Sequence, residues 1–105
     1  MMTATERKEI AMTILNQLGG IGTLVMMTGA KDFVTLESGV QFKIGKNATS
    51  ANLIRIELTP ADTYTLKIMR VRGTTVSTMA QYEDVYADSL GDLITTFTGL
   101  YLTFR

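Results

Sequence analysis

Apolar residues recur along this chain with two different periods, and the change of period marks the change of element. Ile10, Ala11, Ile14, Leu15 and Leu18 follow the spacing of one helical stripe. Thr3 and Glu6 stand at capping-box spacing before that stripe, and Gly19-Gly20 supplies a stop. Beyond the glycines the period shortens to two. Thr23 to Thr28, apolar on both faces at Leu24 to Met27, predicts a central strand. Gly29-Ala30-Lys31-Asp32 predicts a turn. Phe33 to Leu36 and Val40 to Ile44 then predict a hairpin. A two-residue loop at Ser38-Gly39 would set Leu36 against Gln41 and Val34 against Lys43. A three-residue loop, Glu37-Ser38-Gly39, pairs Leu36 with Val40 and Val34 with Phe42, and places Gly39 at a left-handed bulge position. The second choice is the expected one, because it puts apolar against apolar.

Gly45 to Asn52 is polar and small, with nothing to bury, and is expected to be the most mobile segment and the best insertion site. Leu53 to Leu58 and Tyr64 to Val71 flank a Thr59-Pro60-Ala61-Asp62 turn. Matching their apolar faces pairs Leu58 with Tyr64, Ile56 with Leu66 and Ile54 with Ile68. Gly73 turns the chain again, and Thr75 to Tyr82, rich in threonine, predicts a strand near a sheet edge. A last helix starts between Glu83 and Asp88 and carries Tyr86, Leu90, Leu93, Ile94 and Phe97 on one face. Gly91 inside it favours either a close backbone approach or a start near Asp88. Gly99 ends the helix. The apolar Leu100 to Arg105 predicts a docked terminal segment, and with it a homodimer formed by docking or strand addition. The whole chain, residues 1–105, is expected to be a single α+β domain. Its antiparallel, twisted sheet of about five or six strands is flanked by an N-terminal and a C-terminal helix.

Composition removes many chemistries. The chain has neither cysteine nor histidine, so disulfides, thiolate nucleophiles, Cys/His zinc sites and Ser-His-Asp triads are excluded. The remaining Tyr, Ser, Thr, Lys and acidic residues form no recognisable catalytic constellation, and the expectation is a protein that is not an enzyme and carries no cofactor or metal. Gly39 to Lys46 fails as a phosphate loop, because Gly39 and Gly45 are separated by five residues rather than four and Asn47 stands where Ser or Thr is required. Gly19-Gly20-Ile21-Gly22 follows a helix rather than a strand, which inverts the dinucleotide-binding context. The uncharged stretch from Ile10 to Ala30 has the length of a membrane span. Polar residues and glycines break its apolar runs, so a membrane segment and a signal peptide are both disfavoured. Asn47-Ala48-Thr49 is a glycosylation sequon in string only, and cytoplasm is the expected compartment.

Ten basic and ten acidic side chains cancel, but unevenly along the chain. Residues 43–72 carry a net +4, residues 73–105 a net −3, and residues 1–42 a net −1. The expected pairing sets Arg55 directly across from Lys67 on the face away from Ile54, Ile56, Leu66 and Ile68. Like charges in that position destabilise a sheet unless something anionic lies over them. Lys43 joins that face if its strand is a neighbour. Lys43, Arg55 and Lys67, with Lys46, Arg70 and Arg72 as peripheral phosphate contacts, are therefore the candidate residues for binding single-stranded nucleic acid, DNA or RNA. Phe42 and Tyr64 fall on the opposite side, so no aromatic stacking platform is expected. Asp84, Asp88 and Asp92, at i, i+4 and i+8, form the second candidate surface. The row reads first as a solvated helix face near a dipole's positive end, then as a contact for a partner protein, and last as a holder of a hard divalent cation.

At Gly29-Ala30-Lys31-Asp32-Phe33, Asp62-Thr63-Tyr64, Val85-Tyr86-Ala87-Asp88 and Thr98-Gly99-Leu100-Tyr101 the chain resembles small proteins of about a hundred residues from phages, prophages and other mobile elements. The resemblance implies an accessory protein in a bacterial cytoplasm. Such proteins commonly bind nucleic acid, or bind and block host proteins. The alternative to nucleic-acid binding is accordingly an inhibitor or adaptor acting on a host defence or replication factor. It would use Asp84, Asp88 and Asp92 or an exposed strand edge.

Overall fold

Thr3 and Glu6 cap the first helix reciprocally. The Glu6 amide donates to Thr3 Oγ1 at 3.1 Å and the Thr3 amide to Glu6 Oε1 at 3.4 Å. From this cap α1 runs over Ala4–Gln17 and turns Ala11, Ile14, Leu15 and, just past its end, Leu18 into the core. The computed structural model of the chain describes residues 3–47 and 49–100. Gly19 and Gly20, at φ +99° and +91°, let the chain bend by 54° and re-enter a helix, α2 (Ile21–Thr28). No single helix is long and apolar enough to cross a membrane.

The second helix corrects the expected strand over Thr23 to Thr28. Leu24 and Thr28, four residues apart, are buried, while Val25 and Met26 are exposed. That is a helical period, and Thr28 Oγ1 closes it by donating to the Leu24 carbonyl at 2.6 Å. Gly29, left-handed at φ +68°, ends the helix. The run is short, and leucine and methionine serve helices well, so composition did not separate the two periods.

Five strands follow in a simple meander: β1 (Lys31–Thr35), β2 (Gly39–Lys43), β3 (Leu53–Leu58), β4 (Tyr64–Arg72) and β5 (Thr75–Val85). Their spatial order is β1-β2-β3-β4-β5, and every neighbouring pair is antiparallel. A third helix, α3 (Ala87–Thr98), follows the sheet and ends at Gly99, φ +80°. Val40, Phe42, Ile54, Ile56, Leu66 and Ile68 cover one face of the sheet. They form a single core with Ile14, Leu15, Leu18, Leu24, Leu90 and Ile94 of the helices. Among the described residues, the other face carries no helix. The expected docking of the C-terminal run falls, from Tyr101 onward, outside the described residues.

The β3–β4 register matches the expected one pair for pair: Leu58 opposite Tyr64, Ile56 opposite Leu66, Ile54 opposite Ile68. The β1–β2 register does not. Thr35 faces Val40 and Val34 faces Gln41, one residue away from the expected pairing. The observed choice brings Phe33 onto Phe42, with ring centroids 5.4 Å apart, and sends Val34 to the open face, 46% exposed. An aromatic pair gains more than the valine–phenylalanine contact it displaces. An irregularity between Lys31 and Val34, with Asp32 at φ +54°, absorbs the mismatch. Gly39 is not left-handed either. It lies buried inside β2, opposite Glu57.

The segment between β2 and β3, expected to be loose, has an internal frame. Asn47 Nδ2 donates to the carbonyls of Gly45 (3.0 Å) and Ala51 (2.6 Å). Asn47 Oδ1 accepts from the amide and hydroxyl of Thr49 at 3.1 and 2.6 Å. The Gly45 amide ties this loop to the end of α2 by donating to the Thr28 carbonyl at 2.7 Å. One asparagine thus replaces the ladder that this segment lacks.

Candidate nucleic-acid interface

Strict alternation along β3 and β4, combined with the register, builds one cross-strand row on the open face. Gln41 faces Arg55, Arg55 faces Lys67, and Lys67 faces Gln81. Neighbouring strands lie about 4.8 Å apart, so Arg55 and Lys67 emerge side by side. Gln41 Oε1 accepts from Arg55 Nε at 3.0 Å and from Nη2 at 2.8 Å. A neutral amide therefore orients the guanidinium without cancelling its charge. Arg55 and Lys67 are each partly buried, and neither is ion-paired among the described residues.

Lys43 sits on the same face, two residues along β2 from Gln41, and faces Leu53. Its Nζ lies 3.5 Å from Asp32 Oδ2, the one ion pair among the described residues. Both groups are exposed, so this pair contributes at most about 1 kcal/mol and leaves Lys43 able to exchange partners. Lys31 faces Lys43 across β1–β2, a second like-charge pair. The acids Glu57, between Gly39 and Thr65, and Glu83 share the open face but form no ion pair with these cations. Phe33, Phe42, Tyr64 and Tyr82 all pack on the helix side, so the row offers charge and amide groups rather than stacking surfaces.

The other expected contacts separate from this row. Lys46 stands exposed in the β2–β3 loop. Arg70 and Arg72 alternate with Lys67 on β4 and so project from the opposite, helix-side face, across from Ser77 and Thr75. Their grouping with Lys67 is corrected by parity alone, since 67 is odd and 70 and 72 are even. The acidic row also divides. Asp84 belongs to β5, at φ +55°, where the β4–β5 register shifts, and it accepts from Thr63 Oγ1 at 3.5 Å. Asp88 and Asp92 remain on α3, which begins only at Ala87. The strand outlasts its expected end because Val85 still has a core place opposite Tyr64.

Sequence reasoning missed Lys31 and Gln41, and also Leu53 and Met69. The last two face each other on the open side yet are only 7% and 5% exposed. Lys31 and Gln41 follow from the β1–β2 and β2–β3 registers, which apolar matching of β3 with β4 does not reach. Leu53 and Met69 follow from extending the β3–β4 register by one pair. Among the described residues no three Asp, Glu, His or Cys side chains come together as a metal site. No protein-family model, curated protein or solved structure matches this chain.

Proposed function

We propose that this chain is a non-catalytic accessory protein that binds single-stranded nucleic acid on its open sheet face. The reading rests on one observation. Arg55 and Lys67 stand adjacent on the side of the sheet that carries no helix among the described residues, and no carboxylate among those residues is paired to either. A fold gains nothing from that juxtaposition, and a phosphate laid between the two strands relieves it. Arg55 and Lys67 are the principal contacts, Lys43 a third that trades Asp32 for phosphate, and Gln41 the residue that holds Arg55 in place. The setting we propose is that of a phage or mobile-element protein in a bacterial cytoplasm.

Titration of labelled oligothymidylate at low salt is the test. Binding is expected to weaken steeply as salt rises, because counterion release dominates. Replacing Arg55 and Lys67 together with glutamine is expected to lower affinity several-fold. It also makes the log–log salt slope shallower by about 1.4, roughly 0.7 for each phosphate no longer neutralised on a single strand. An unchanged affinity removes the proposal.

A protein-binding role is favoured by a different feature. β5 is an 11-residue edge strand, and Val76 on it is 58% exposed. Its backbone groups facing away from β4, unpaired among the described residues, are a template for strand addition by a partner protein or by a second copy of the chain. In this reading the molecule is an inhibitor or adaptor, and it self-associates. Sedimentation is expected to give twice the monomer mass at micromolar concentration, and a single species at 11.5 kDa argues against a homodimer.

A further inference from the structure

On the helix-side face, past Ile68, the last fully enclosed residue of β4, two arginines and two hydroxyl residues make a block. Arg70 faces Ser77 and Arg72 faces Thr75. Residues two apart on a strand are about 6.6 Å apart and facing strands about 4.8 Å, so the four side chains border a space of molecular size. They line a cleft of about 240 Å³. From Thr63 to Tyr82 the sequence contains no acidic residue, and neither arginine is ion-paired among the described residues.

The backbone beneath the block is held. Asn52, just before β3, donates from Nδ2 to the Val71 carbonyl at 2.9 Å and accepts from the Val71 amide at Oδ1 at 2.7 Å. This clamp continues the pairing of β4 past the end of β3, with Val71 the residue between the two arginines. The arm is closed by a tight turn at Gly73, φ +62°. Two guanidinium forks and two hydroxyls on a fixed backbone suit a tetrahedral anion, because the forks donate in pairs and the hydroxyls reorient.

We propose that Arg70, Arg72, Thr75 and Ser77 form a binding site for a single phosphate group, separate from the open face. It does not depend on the reading of Arg55 and Lys67. The phosphate is either free phosphate or the terminal phosphate of a nucleic-acid strand.

The amide spectrum of the intact protein, titrated with inorganic phosphate at constant ionic strength against chloride, is the first arm. Saturable shifts confined to residues 70–77 are expected. Arg70→Gln with Arg72→Gln is expected to weaken them at least tenfold while the rest of the spectrum keeps its folded dispersion. Arg55→Gln with Lys67→Gln leaves them in place, so failure of one site is distinguishable from failure of the other. The second arm compares oligothymidylate with and without a 5′ phosphate. Tighter binding of the phosphorylated strand that disappears in the Arg70/Arg72 variant identifies a strand end as the ligand. Equal binding together with phosphate shifts identifies free phosphate. The proposal is overturned if neither probe shifts residues 70–77, or if the shifts survive replacement of both arginines.

Discussion

Gly39→Ala is expected to destabilise the protein by about 3 kcal/mol, the upper end for a forced insertion into a packed interior. Gly39 lies where the backbones of β2 and β3 approach closely. A Cβ built there would strike the Ile56 carbonyl oxygen and come within 2.8 Å of Glu57 Cα. Both obstacles are backbone, and neither can rotate away as a side chain would. Relief would require the two strands to part, and these strands also carry Phe42 opposite Ile54 and Gln41 opposite Arg55. For a domain of this length the loss corresponds to a fall in Tm of roughly 12 °C or more. Urea denaturation followed by circular dichroism measures it directly. A midpoint equal to that of the parent would mean that β2 and β3 do not approach as described.

Lys67→Glu is expected to move stability and binding in opposite directions. It replaces the facing Arg55–Lys67 pair with an Arg55–Glu pair, which favours the fold by about 0.5–1 kcal/mol on the scale of cross-strand contacts. The same change puts a negative charge at the centre of the row that we assign to phosphate, and oligothymidylate affinity at low salt should fall at least tenfold. A rise in the urea midpoint with abolished binding is the signature of a residue kept for its ligand at a cost to the fold. If Lys67 were an ordinary exposed strand charge, the variant would gain stability and bind as before, and the assignment of the open face would fail.

Much of this molecule was legible because local chemistry and tertiary packing agree. The Thr3–Glu6 cap, the β3–β4 register and the inward Leu90 and Ile94 of α3 each follow from spacings within a short stretch of chain, and each is seen as expected. Tyr86, expected on the same helix face, is instead the N-cap of α3 and 68% exposed, because the strand before it runs on to Val85. The site was legible to the same depth. Arg55 beside Lys67 follows from two apolar pairs, whereas Gln41 beneath Arg55 required knowing which strand lies next to β3. Where the pattern failed, two local solutions were nearly equal. Leu24 to Met27 fits a buried strand or one turn of helix, and Val34 or Phe33 serves almost equally as a partner for Phe42. Asp84 left the row of Asp88 and Asp92 for a similar reason, because β5 continues to Val85 before α3 begins.

By itself the amino-acid order determined the class of fold, the positions of most turns and the pairing that sets two cations side by side. Alternation and capping act over a few residues, and their outcomes do not depend on what packs above them. Only the tertiary structure decided that the second glycine-bounded run is a helix, that Phe33 rather than Val34 enters the core, and which sheet face carries no helix among the described residues. Those outcomes turn on burial against residues distant in sequence, where packing on Phe42, Ile54 or Leu90 outweighs any local preference.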